Sequence, residues 1–156
     1  MTDRAQRRGG RIAMTVEERD AFLGEERTCR VASLGHDGAP HVSPLWFTWD
    51  GTSMWVSSIV KSQRWTDLMR DPRVSIVVDT GHEFGELRGV ELLGTVAVVG
   101  EVPRTGEPCD ELVVIERLHA LKYRGSEQYV PDGRHAWLRM DPAKIVTWDF
   151  RKMPTP

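Results

Sequence analysis

His36-Asp37-Gly38-Ala39-Pro40-His41-Val42-Ser43-Pro44-Leu45-Trp46-Phe47-Thr48-Trp49-Asp50-Gly51-Thr52-Ser53-Met54-Trp55-Val56-Ser57-Ser58 is the stretch that decides the fold. Two turn signals, at residues 36–39 and at Asp50-Gly51, bracket a run rich in apolar and aromatic residues. Asp-Gly between two such runs is the strongest short-range mark of a hairpin. The spacing predicts strands over 41–49 and 54–58, with a further strand over 30–34 on the other side of the first turn. Three antiparallel strands in succession favour a meander or barrel over a doubly wound sheet.

Outward from that stretch, Thr15 and Glu18 have the spacing of a capping box. A short helix follows to about Gly24, with Val16, Phe22 and Leu23 as its apolar contacts. Ser62 caps a second helix through about Arg70, with Trp65, Leu68 and Met69 at helical spacing, and Asp71-Pro72 ends it. The β-branched run 74–79 reads as a buried strand, and 87–99 as a long one in which Gly89 and Gly94 mark bulges or close contacts. A helix over 111–123 puts Leu112, Ile115, Leu118 and Leu121 on one face. Two last strands, 136–140 and 145–150, flank Asp141-Pro142. Six or seven strands and three helices, most strands joined by hairpins, make a β-barrel with helical additions.

A chain of 156 residues fits one domain with a real core. No run approaches the roughly 20 apolar residues of a membrane helix, and the first eleven residues lack the apolar stretch of a secretory signal. The net charge of −2 argues against a general nucleic-acid binder. Cys29 and Cys109 have no metal-like spacing and read as idle thiols of a cytoplasmic protein. Arg4, Arg7, Arg8 and Arg11 make the start basic, either a solvated tail or an arm closing over an anionic ligand.

Residues 57–65, Ser-Ser-Ile-Val-Lys-Ser-Gln-Arg-Trp, carry the most chemistry. A strand ends in two hydroxyls, and the chain turns through Lys61 into a helix capped by Ser62 whose first turn holds Arg64. Free amides and the positive end of the helix dipole meet two cations and three hydroxyls, the parts of a phosphate site. The competing reading makes Ser62 a plain cap and leaves Lys61 and Arg64 as surface charges. Alternation places His41, Ser43 and Leu45 on one strand face, and Pro44, lacking an amide hydrogen, suits an edge where a cofactor rim sits. Of the six tryptophans, most read as core or interface anchors and one or two as borders of a flat ligand. There is no G-x-G-x-x-G after a strand, no P-loop, no G-x-S-x-G and no paired-histidine spacing, so no metal site is expected.

From about Glu18 to Phe150 the chain resembles the split β-barrel superfamily of pyridoxamine-phosphate-oxidase-like proteins, and most closely the branch that uses the deazaflavin coenzyme F420. The resemblance is carried by residues 36–44, by Lys61 to Trp65, and by Leu68-Met69-Arg70-Asp71-Pro72-Arg73-Val74-Ser75-Ile76-Val77-Val78-Asp79. It implies a mainly β fold with helices, an FMN-binding-like split barrel of Greek-key type with six or seven antiparallel strands. Residues 1–13 would be a flexible basic arm and residues 14–152 the cofactor-binding barrel. It further implies a cytoplasmic homodimer with the cofactor in a groove at the interface. Ser57, Ser58, Lys61 and Arg64, with Trp65 in the same segment, would hold the phosphate and adjoining tail. His41, Ser43 and Pro44 would lie along the ring, and Glu86, Leu87 and Arg88 would approach from nearby. The deazaflavin would carry a hydride to an unsaturated or quinone-like small molecule, with no catalytic acid or base named and a solvent proton sufficing.

The chain ends without the Arg/His substrate pair of pyridoxamine-phosphate oxidases proper, which puts vitamin-B6 oxidation in doubt. FMN fits the same Arg-plus-Lys pattern, so an FMN-dependent oxidoreductase is the alternative; a non-catalytic flavin, deazaflavin or haem binder is another, with His41 or His135 as the tempting haem ligands. Tail charge separates the first two. A groove for the glutamate-bearing deazaflavin continues basic beyond the phosphate, with Arg30, Arg88, Arg124 and the N-terminal arginines as the candidates.

Overall fold

A computed structural model describes residue 6 and residues 9–154; Arg4, Arg7 and Arg8 of the basic arm lie outside the described residues. Helix α1 (Val16–Glu25) begins with the expected capping box between Thr15 and Glu18. Strands β1 (Thr28–Leu34), β2 (Pro40–Trp49) and β3 (Met54–Ile59) follow as an antiparallel meander. Helix α2 (Gln63–Arg70) carries the chain across to a second meander, β4 (Arg73–Thr80), β5 (Arg88–Val99) and, after helix α3 (Asp110–Arg124), β6 (His135–Asp149). The two meanders join through β1·β4 and β3·β6, closing a six-stranded barrel in the order β1-β2-β3-β6-β5-β4.

Alternation builds the core. Cys29 and Val31 of β1, Phe47 of β2, Met54 and Val56 of β3, and Leu138 and Met140 of β6 point inward with Ile76, Val78, Val90 and Leu92. Phe22 and Leu23 of α1 join this core, as do Trp65 and Leu68 of α2. A smaller cluster forms outside the barrel, where Leu112 and Ile115 of α3 cover Trp55 and Trp137. Three tryptophans tie their ring nitrogens to carboxylates: Trp49 to Asp20, Trp55 to Asp50 and Trp137 to Glu116. Each thereby buries a large ring without orphaning its polar tip.

Three expectations are corrected. The last two strands are one continuous β6, because Pro142 falls where the β5 register shifts between Leu93 and Gly94, a position that asks for no ladder donor. The count is therefore six. The Asp50-Gly51 turn is longer than a two-residue hairpin: Trp49 pairs with Met54, and Asp50 Oδ1 accepts from the amides of Thr52 and Ser53. On α3, Leu112 and Ile115 are buried but Leu118 and Leu121 are partly exposed, since the covered face continues through Ala120 and through His119 and Tyr123, which meet β2, instead of through those two leucines.

Both strand glycines make close contacts. A Cβ on Gly89 would lie 2.3 Å from the Trp148 ring, and one on Gly94 would lie 2.2 Å from the Asp141 carbonyl.

Candidate functional site

Strands β2 and β3 pair only from Phe47↔Val56 to Trp49↔Met54. Beyond that point β2 remains paired with β1 back to Pro40, and β3 with β6 out to Ile59, but not with each other. The barrel wall therefore opens between the first half of β2 and the second half of β3. Pro44, which has no amide hydrogen, sits in the unpaired part of β2. Helix α3 holds the hinge of this opening. The Tyr123 hydroxyl accepts from the Phe47 amide and lies 2.7 Å from both the Phe47 and Arg27 carbonyls, and its ring stacks on Trp46 at 4.3 Å.

Arg64 bridges the opening on the inner side. Its Nε donates to Ser58 Oγ at 3.2 Å and its Nη1 to Ser43 Oγ at 2.5 Å, one partner from each diverging strand. The residue is only 8% exposed. Both bonds go to neutral hydroxyls, and among the described residues no carboxylate pairs with it. Among the described residues none bonds to Nη2. Burial accordingly pushes the guanidinium below its ordinary pKa. Ser62 Oγ caps the amide of Trp65 in the adjoining turn of α2, and Lys61 is exposed beside it.

The same end of the barrel is polar further in. Asp67 is buried, its Oδ1 accepting from Gln63 at 2.8 Å and facing Arg70 at 3.4 Å. Its Oδ2 lies 3.7 Å from His41 Nδ1. These two atoms and Ser33 Oγ are the buried side-chain polar atoms without a hydrogen-bond partner among the described residues, and Ser33 is paired with His41 across β1 and β2. The carboxyl of Asp67 is held below its usual range, chiefly by Gln63.

On the outer side the opening leads into a cavity of about 250 Å3 beneath α3 and the loop before β6. Leu45 and Trp46 form one rim and Ser57 the other, with His119 and Arg124 from α3, and Tyr129 and His135 beyond. His119 Nδ1 is 3.0 Å from Thr48 Oγ1; burial, then the charges of Lys122, Arg124 and His135, push its pKa down to about 4.

The structure thus brings together Ser43, Ser58 and Arg64, with His41, Pro44 and Lys61 around them. It separates Ser57 from Ser58, because successive side chains of a strand face opposite ways: Ser57 lines the outer cavity and Ser58 the inner floor. Trp65 turns into the core. Glu86, Leu87 and Arg88 lie at the far end of β6, where Arg88 pairs with Asp149, whereas Ser58 pairs with Ala136. The Glu86 carboxylate accepts from the amides of His82 and Glu83. Of the basic residues proposed for a tail, Arg124 lines the cavity, while Arg30 is paired with Asp79 at 2.5 Å. Sequence reasoning missed Asp67, Tyr123 and the cavity under α3.

An open-walled barrel with a polar, cationic floor defines the class: a split-barrel protein of the flavin-type binding fold. Residues 15–149 match the family model described as pyridoxamine 5'-phosphate oxidase, and the chain belongs to that family. No curated protein matches the chain. Among solved structures it is similar to a conserved hypothetical protein from Mycobacterium tuberculosis, with 28% identity, a TM-score of 0.78, and coverage of 97% of this chain and 94% of that one. An F420 reductase is similar at 21% identity and TM-score 0.61, covering 81% and 94%. The haem storage protein HutZ from Vibrio cholerae is similar at 20% identity and TM-score 0.63, covering 86% and 96%. The last two likenesses are of fold.

Proposed function

We propose that the protein is a coenzyme F420-dependent oxidoreductase that passes a hydride to an unsaturated or quinone-like small molecule. Arg64 carries the reading. A guanidinium held by two hydroxyls, with no counter-charge, is costly to bury. An anion reaching Nη2 through the opening offsets that cost, and the phosphodiester of the deazaflavin supplies one. The surroundings fit the group. Lys61 stands exposed at the start of the eight-residue α2, where the helix dipole also favours negative charge. The unpaired edge of β2 from Pro44 to Trp46 offers a flat apolar rim for a ring, and Arg124 offers a cation for an acidic tail.

When bound, the cofactor supplies the hydride donor. The chain's own residues bind and orient it: Ser43 and Ser58 fix the guanidinium, and Tyr123 fixes the strand that forms the rim. FMN presents a phosphate to the same anchor, so an FMN enzyme is the alternative at the same site, and tail recognition separates the two.

The same reading makes the chain a homodimer with the cofactor groove between its subunits. In support, Val42 and Trp46 are 60% and 50% exposed on the outer face of β2, next to the opening, and Val113, Val114 and Val130 are exposed nearby on and beyond α3. Apolar exposure of that kind marks an association surface. A cytoplasmic setting accords with two free cysteines, one of them buried with its thiol pushed up to about 12.

The test is a titration of the purified protein with oxidised F420 and, separately, FMN. Saturable binding of F420 that Arg64→Ala weakens supports the proposal. A protein that arrives yellow with tight flavin and ignores F420 favours the alternative.

A further inference from the structure

A second contact joins α2 to the free half of β2 beside the anchor. Arg64 and Asp67 are both buried on α2, where residues three apart share a face, and Ser43 and His41 alternate onto one face of β2. The first pair is bonded, Arg64 Nη1 to Ser43 Oγ at 2.5 Å, whereas the second stops at 3.7 Å, between Asp67 Oδ2 and His41 Nδ1. Neither of those two atoms has a hydrogen-bond partner among the described residues, and the Asp67 side chain is only 1% exposed. Gln63 and Arg70 occupy Oδ1 and leave Oδ2 to the imidazole. Ser33 Oγ, the third unpartnered atom, belongs to the residue opposite His41 in the β1–β2 register.

An ionised carboxylate only accepts, so Oδ2 favours the neutral imidazole that carries its hydrogen on Nδ1. Nε2 then keeps its lone pair and is an acceptor. Nδ1 is buried although the side chain is 43% exposed, so the ring turns Nδ1 inward and presents its opposite edge to the open side of β2. Two residues of strand separate His41 from Ser43 by about 7 Å. A ligand group that meets Nε2 is therefore a hydrogen-bond donor a few bonds away from the anion at Arg64.

We propose that His41, held by Asp67, forms a hydroxyl subsite next to the Arg64 anchor, so that the opening selects the phosphate ester of a polyol over bare phosphate. Nε2 accepts from a hydroxyl on the chain that follows the phosphate. The inference rests on the proposed function, which puts the phosphate at Arg64, and it adds the part of the ligand beside it. The 3.7 Å contact closes on binding, as long hydrogen bonds of a ligand-free site commonly do. His41 is thereby a binding residue and Asp67 a positioning residue.

The experiment titrates 15N-labelled full-length protein at about pH 8, above the ordinary imidazole range, with inorganic phosphate and, separately, with ribitol 5-phosphate. Long-range proton–nitrogen spectra read the imidazole nitrogens. His41 carries its hydrogen on Nδ1 in the wild type and moves toward the Nε2–H form in Asp67→Asn, a change that a merely structural carboxylate would not produce. Ribitol 5-phosphate binds about tenfold tighter than inorganic phosphate, the gain of one hydrogen bond, and shifts the Nε2 signal. His41→Phe removes that preference and leaves the Kd of inorganic phosphate as it was. A preference that survives His41→Phe overturns the subsite, and a wild-type His41 protonated on Nε2 overturns the role of Asp67. Equal Kd values for the two probes, in a protein that binds F420 through Arg64, refute the subsite alone. A polyol preference that His41→Phe removes, in a protein that binds neither F420 nor FMN, refutes the proposed function and leaves the subsite standing.

Discussion

Two buried arginines in this protein do opposite things. Arg104 is saturated: its Nε and Nη1 meet Glu116 and Glu101 at 2.6 and 2.8 Å, and Glu116 also takes the Trp137 indole. Removing it strands a nearly buried carboxylate beside a tryptophan. Arg104→Ala is expected to lower stability by about 3–5 kcal/mol, read from urea unfolding. Arg64 is as buried but has no acid. Arg64→Met should leave the ligand-free melting temperature unchanged or raised, since an unpaired charge is replaced by apolar volume, while cofactor affinity drops by at least about tenfold. A melting temperature that falls as far as in Arg104→Ala would mean that Arg64 is structural, and the anchor reading would lose its basis. The pairing of Lys61 with Arg64 in sequence pointed to this site. That Arg64 lacks a carboxylate partner was not legible, because it depends on where β2 and β3 part.

At the scale of elements, β2 and β3 were readable from their turn signals, and Gly89 and Gly94 from their place in a long strand. Gly94→Ala forces a Cβ onto the Asp141 carbonyl and should destabilise by about 1–3 kcal/mol, with the β5–β6 bulge loosening in hydrogen exchange. An unchanged unfolding midpoint would show that the close approach is not needed. The β6 strand was read as two because Pro142 ordinarily ends a strand; only the partner register shows a bulge there. The α3 periodicity was right for Leu112 and Ile115 and failed for Leu118 and Leu121, since the covered face continues through the polar-tipped His119 and Tyr123 and the small Ala120, which a search for large apolar residues passes over. His119 sits on that covered face, against Thr48. Its pKa is depressed from 6.5 to about 4, so the unfolded chain binds the proton more readily and folding loses stability as pH falls from 6.5 toward 4. The loss is about 3 kcal/mol at most. Urea midpoints across that range should show it, and His119→Gln should flatten the slope; a slope unaltered by that change would place the proton uptake elsewhere.

For the whole molecule, the two meanders close one barrel, and Ser43, Ser58 and Arg64 collect where β2 and β3 part beyond the Phe47–Val56 pair. The exposed valines and Trp46 beside that opening lead to the expectation of a dimer at micromolar concentration by sedimentation, with Trp46→Glu shifting it to monomer. A wild-type monomer under those conditions would contradict the shared groove. The central claim is that the opening, with Arg64 at its floor, seats the phosphate of a deazaflavin. The most direct measurement is a fluorescence titration of oxidised F420 against the wild type and Arg64→Ala, with FMN in parallel. The predicted result is saturable F420 binding by the wild type, at least about tenfold weaker in the variant, with FMN the poorer ligand. Absence of saturable F420 binding, or equal affinity in wild type and Arg64→Ala, would contradict it.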